Sequence, residues 1–127
     1  MAEGVEAFAA LYFFVIGLSH VLQPRAWVEF FSRLRDFGRA GAFAEGFLSV
    51  AVGAFIAAFH NVWSGLATVL TVIGWGLVVK GLLRFVAPEL GLRMYRRVAP
   101  ERAWEFQVAG AFSVGLGVFL GYLVFRR

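Results

Sequence analysis

Six polar side chains carry most of the chemistry open to this chain: His20, Glu45, Lys80, Arg84, Glu105 and Gln107. Each lies inside or at the edge of a long apolar run, where an ionisable group is costly and normally faces a partner or a cavity. Glu45 is expected about one turn inside the second helix and Lys80 about one turn inside the third, where they can neutralise each other. Together the six form a candidate polar belt at one depth. Lys80 and Arg84 can also snorkel, laying their stems on apolar surface and holding the charge at its boundary. Glu45 is too short for that, so a structural ion pair and a cavity-lining carboxylate are its two readings. A second group, at the opposite end of the runs, comprises His60, Asn61 and Trp75, with Trp63, Thr68 and Thr71 beside them. Trp63 has the place of an interfacial aromatic, and His60-Asn61 that of a cap on a tight turn where Asn61 can meet a lipid headgroup.

Several chemistries are disfavoured. The two histidines end runs that travel in opposite directions, so most of a bilayer thickness separates them and one chain cannot bring both to a haem iron. There is no cysteine, which removes thiol and disulfide redox steps, and no cluster of His with Asp or Glu has metal-ligand spacing. Gly74-Trp75-Gly76 is inside an apolar run with no strand before it and is not a nucleotide loop. No catalytic set, metal or cofactor is therefore expected.

The elements that position these residues follow from composition. The chain has 127 residues, 61% hydrophobic and 16% charged, and its mean hydropathy is +0.77. A soluble domain of that size cannot bury so much apolar surface. Four runs hold it: Ala7 to Leu22, Ala42 to Phe59, Val62 to Val79 and Phe106 to Phe125. Each is near the length needed to cross a hydrocarbon core of about 30 Å as a helix, the first only with interfacial residues extending its ends. They are too long and too rich in Gly and Ala for barrel strands. The expected fold is an all-α integral membrane four-helix bundle in one domain. The opening Met-Ala-Glu-Gly-Val-Glu has no positive segment and is not expected to be a cleaved signal peptide.

Charge predicts the orientation. Ten of the twelve Lys and Arg fall in or beside the first and third connections, Gln23 to Gly41 and Arg84 to Glu105. By the positive-inside rule both connections are expected in the cytoplasm and both termini outside, in a bacterial cytoplasmic membrane. The net charge of +4 then reflects topology and contact with anionic lipid, and no nucleic-acid partner is expected. After Pro24, Trp27, Phe30, Phe31 and Leu34 recur at helical spacing opposite Glu29, Ser32, Arg33 and Asp36, which predicts an amphipathic helix in the headgroup plane. A less regular counterpart follows Pro88 and closes at Pro100. Such helices serve as anchors, gates or docking surfaces.

Laying the first half over the second at an offset of 64 gives eleven identities in 63 ungapped pairs, among them Gly17 with Gly81, Pro24 with Pro88, Gly46 with Gly110 and Gly53 with Gly117. Two tandem two-helix repeats are expected, residues 1–63 and 64–127, related by a pseudo-twofold axis along the membrane normal. Ser113, Gly117 and Gly121 recur every four residues in the last run, and Ser49, Gly53 and Ala57 hold the equivalent places in the second. Small residues at this spacing let backbones approach closely in lipid. The second and fourth spans are thus expected to meet near the pseudo-axis; a homodimer through each groove is the alternative.

Gly17-Leu18-Ser19-His20 followed by Pro24, the aromatic segment through Phe30-Phe31, and Glu45-Gly46 opening the next span resemble the DoxX-like group of small four-helix bacterial membrane proteins. The resemblance covers about the first 55 residues. It implies a four-helix membrane bundle linked to quinone-associated oxidation or to envelope stress, and it carries over no catalytic residue. Three functions remain open: an accessory or scaffold subunit of a membrane complex, which the missing catalytic set favours; binding or transport of a lipid, quinone or other small hydrophobic molecule through the polar belt; and a membrane enzyme.

Overall fold

A computed structural model describes residues 2–126 and is helical almost throughout. Its helices in chain order are α1 (Ala2–Leu22), α2 (Pro24–Asp36), α3 (Arg39–Phe59), α4 (Thr68–Val86), α5 (Pro88–Arg96) and α6 (Trp104–Phe125), with a single 3-10 turn at Pro100–Arg102. Four helices, α1, α3, α4 and α6, are long and apolar enough to cross a membrane. The third span is displaced from its expected place: residues 60–67 form an irregular connection, and α4 continues past Val79 to Val86. Gly65, at φ +70°, makes the turn, and the Thr71 hydroxyl binds the backbone of His60 and Val62. Lys80 and Arg84 consequently sit well inside a helix.

Two antiparallel pairs make up the bundle, α1 with α6 and α3 with α4. The glycine-lined faces of the second and fourth spans therefore do not oppose each other, contrary to the sequence expectation. Each faces the other member of its own pair. A methyl group placed on Gly17 would lie 2.6 Å from the Gly110 oxygen, and one on Gly53 would lie 2.7 Å from the Gly74 oxygen. Backbones approach this closely where both helices carry small residues, and α1 and α4 supply the matching glycines: Gly17 opposite Gly110, Gly81 opposite Gly46 and Gly74 opposite Ala57. Ser49 and Ala57 on α3 are buried, Ala57 in the α3–α4 seam beside Gly74. The Ser113 hydroxyl donates to the Phe13 carbonyl oxygen at 2.6 Å across the α1–α6 seam. Gly117 abuts Ala10 and Phe14, whereas Gly121 meets nothing and lies outside the seam.

The two pairs join differently at their two ends. At the end holding the start of α1, one apolar core includes Val5, Ala9, Ile56, Leu70, Leu120 and Leu123, drawn from all four long helices. At the other end α2 and α5 come together, with Phe31 and Tyr95 ring centroids 5.8 Å apart, over a smaller core of Leu34, Ala42 and Tyr95. The helix expected after Pro24 forms as α2, with part of its surface packed on the bundle. Val28 and Leu34 are buried, and Trp27 stacks on His20 with centroids 3.9 Å apart. The single residue Gln23 between α1 and α2 holds α2 against the bundle end, so its apolar side meets protein.

Candidate functional site

Glu45, near the start of α3, is the centre of the α2–α5 end. Its Oε1 accepts a hydrogen bond from Arg84 Nε at 2.8 Å and another from the Tyr95 hydroxyl, while its Oε2 lies 3.4 Å from Lys80 Nζ. Lys80 and Arg84 are one turn apart on α4 and so share a face. Arg84 is buried at 4% exposure. Its side chain fits between α3 and α5 because glycines line its path: a methyl on Gly46 would lie 2.7 Å from Arg84 Cβ, and one on Gly91 would lie 2.8 Å from Arg84 Cδ. Arg84 Nη2 faces the Met94 sulfur at 3.5 Å, a weak acceptor for a charged donor. Burial, with the hydrogen bond and negative charge of Glu45, pushes the Tyr95 phenol well above its ordinary range.

This cluster forms one wall of a cavity of about 320 Å³. Arg97, Arg102 and Glu105 line the same space, and Phe31, Met94, Val98, Phe106 and Ala109 give it an apolar side. Arg97 Nη2 donates to Glu105 Oε1 at 3.1 Å, and Arg102 Nε donates to the Arg97 carbonyl at 2.8 Å. Four cationic side chains thus share the space with two carboxylates. Of the six residues expected in a polar belt, Glu45, Lys80, Arg84 and Glu105 come together here. His20 does not line the cavity: its Nδ1 donates to the Ile16 carbonyl at 2.8 Å, and its ring lies between Trp27 and Phe106. Gln107 Nε2 donates to the Val21 carbonyl at 3.3 Å on the exposed α1–α6 seam.

At the opposite end His60 is fully buried with Glu6 and Thr71. His60 Nε2 lies 2.6 Å from Glu6 Oε2, and Nδ1 lies 3.1 Å from Thr71 Oγ1. The Thr71 hydroxyl has one proton, which its geometry directs to the His60 or Val62 carbonyl, and it also accepts from the Val62 N–H. Assigned from these partners, Nδ1 is the proton-bearing nitrogen. The cluster joins α1 to both ends of the α3–α4 connection, and its three side chains are fully buried. Asn61 is outside it: its Oδ1 accepts from Trp63 Nε1 at 2.9 Å and from Trp75 Nε1 at 3.3 Å on the exposed surface.

Sequence reasoning missed Tyr95 and Glu6. Tyr95 was legible only as one apolar position of the less regular segment after Pro88, although it falls on Phe31 at the offset of 64. Glu6 precedes the first apolar run; its signal is a place one turn before Ala9 and Ala10, on the side that enters the core.

No protein-family model, no curated protein and no solved structure matches this chain.

Proposed function

We propose that this is a membrane-embedded binding protein for a small hydrophobic or amphipathic molecule such as a lipid or a quinone, held in the cavity between α3, α4, α5 and α6. One observation carries the reading: a buried Glu45–Arg84–Tyr95 cluster and an apolar wall face the same 320 Å³ space, the combination of a concave apolar surface with few convergent polar groups that ligand sites use. With the Arg-rich connections in the cytoplasm and the termini outside, the cavity opens toward the cytoplasmic face. The resemblance to the DoxX-like group is consistent with this reading.

Duplication supports a single asymmetric site. The contacts between Gly17 and Gly110 and between Gly81 and Gly46 interchange under the offset of 64, as do those of Gly117 with Phe14 and of Gly53 with Val78. That is the pattern two tandem repeats about a pseudo-twofold axis would leave. Glu45 and its repeat counterpart Ala109 both line the cavity, so one copy supplies the charge and the other leaves the space. Native mass spectrometry of protein extracted gently from its membrane tests the reading. A stoichiometric small molecule should be retained, and Ala109→Trp, which fills the cavity from α6, should abolish its retention. Retention of nothing by the parent protein would overturn the proposal.

A recess on α6 favours the second reading, an accessory or scaffold subunit. Val108, Phe112, Gly115 and Leu116 form an apolar groove, and Gly115 meets no neighbour. A partner helix, from a second copy or from another membrane protein, would fit there. Co-purification of a stable protein chain without a retained ligand, lost in Gly115→Leu, would favour it.

A further inference from the structure

Building on the cavity reading, we infer that the ligand carries an oxyanion, a phosphate or carboxylate on an apolar chain, and that Arg84 with Arg97 and Arg102 receives it. Four cationic side chains and two carboxylates line the space. Glu45 is already held by Arg84 and Tyr95, with Lys80 3.4 Å away, and Glu105 by Arg97. An anion entering the cavity meets a surplus of positive charge. Arg84 gives that surplus direction: it is buried at 4% exposure, Glu45 occupies its Nε, and Nη2 faces a thioether at 3.5 Å. An oxyanion is a far stronger acceptor for a guanidinium than a thioether sulfur, and it matches the fork of donors. Met94 is largely exposed and flexible enough to yield its place. Phe31, Val98 and Phe106 are on the apolar side of the same space, where a chain attached to the headgroup would lie.

The same chemistry is found in an acidic membrane lipid and in a free single-chain amphiphile. The experiment separates them by native mass spectrometry of the full chain, stripped of lipid in nonionic detergent and offered phosphatidylglycerol, phosphatidylcholine, dodecyl phosphate, dodecanol or inorganic phosphate. Dodecyl phosphate should be retained at one per chain, about tenfold or more tighter than dodecanol, in keeping with a charge-assisted hydrogen bond. Inorganic phosphate alone should bind far more weakly. Preference for phosphatidylglycerol over dodecyl phosphate identifies the membrane lipid as the source, and the reverse identifies the free amphiphile; either supports the inference. Arg84→Gln should remove the preference for phosphate over alcohol. Because that variant also removes one partner of Glu45 and can impair folding, Arg102→Gln at the exposed rim is the second variant: it should weaken dodecyl phosphate several-fold and leave dodecanol and the melting temperature unchanged. Glu45→Gln keeps an acceptor for Arg84 and Tyr95 but removes a negative charge, so it should tighten dodecyl phosphate binding. Equal retention of dodecanol and dodecyl phosphate, or weaker phosphate binding in Glu45→Gln, would overturn the oxyanion inference and leave the cavity reading intact. Retention of no amphiphile would overturn both.

Discussion

Two carboxylates, Glu45 and Glu6, are used in opposite ways. Glu45 borders a space that another molecule can enter; Glu6 is sealed against His60 and Thr71 with no exposure. Removing one member of a buried pair leaves the other without its partner, typically at a cost of about 3–5 kcal/mol. Glu6→Ala should therefore lower the thermal midpoint in detergent sharply by leaving buried His60 without its carboxylate, while the Glu6→Leu/His60→Leu double variant should recover much of the loss. If the double variant melts as low as Glu6→Ala, His60 does not depend on that carboxylate. Tyr95 gives a pH prediction. A free phenol ionises near pH 10.0, and the folded Tyr95 keeps its proton beyond that. Above pH 10.0 the unfolded chain has released a proton that the folded state retains, so stability falls as pH rises, and below it the contribution is constant. Tyrosinate absorbance should show a late component in the parent that is missing in Tyr95→Phe. The sequence exposed Glu45, Lys80 and Arg84 through their cost inside apolar runs. It did not expose Tyr95, because a tyrosine costs little in such a setting until its hydroxyl has a specific acceptor.

The glycines of the long helices divide into those in a seam and those on open surface, and sequence spacing alone does not tell them apart. Ser113, Gly117 and Gly121 are evenly spaced, yet Gly117 abuts Phe14 and Gly121 touches nothing. Spacing shows that a face is small; only the partner's own small residues show which helix receives it. Gly17 on α1 and Gly74 and Gly81 on α4 carried that information, and pairing glycine with glycine would have selected α1–α6 and α3–α4. Gly117→Leu and Gly53→Leu should each destabilise the fold by about 1–3 kcal/mol or more through forced separation of two backbones, whereas Gly121→Leu should leave the melting temperature nearly unchanged. A comparable loss in Gly121→Leu would mean that α6 has a partner on that side. The shifted start of α4 has a similar origin: apolarity runs on through Val62 and Trp63, but the turn at Gly65 and the hydroxyl of Thr71 decide where the helix begins.

As a whole, the molecule has a closed apolar end and an end where two short helices roof a charged cavity. The sequence was most informative at this scale, because hydropathy sets the number of spans and the distribution of Arg sets their expected direction. The parent sequence has no cysteine, so single cysteines report sidedness directly. Arg35→Cys should react with an impermeant maleimide only from the cytoplasmic side of intact cells or inverted vesicles, and Ser64→Cys only from the outer side. The reverse labelling would invert the orientation and turn the cavity toward the outside.

The pairing of the first long helix with the last allows the chain to be cut and rejoined. Val5 and Leu123 belong to one core, so the start of α1 and the end of α6 are neighbours that a short flexible linker can join. The connection at residues 60–67 joins α3 to α4 at that same end. A circular permutant opened near Ser64 and closed between Phe125 and Ala2 would run from α4 through α6 to α1 and on to α3. Both seams would survive, with the covalent connection moved from the α3–α4 pair to the α1–α6 pair. Because both seams are kept, the permutant should insert, fold and retain its cavity.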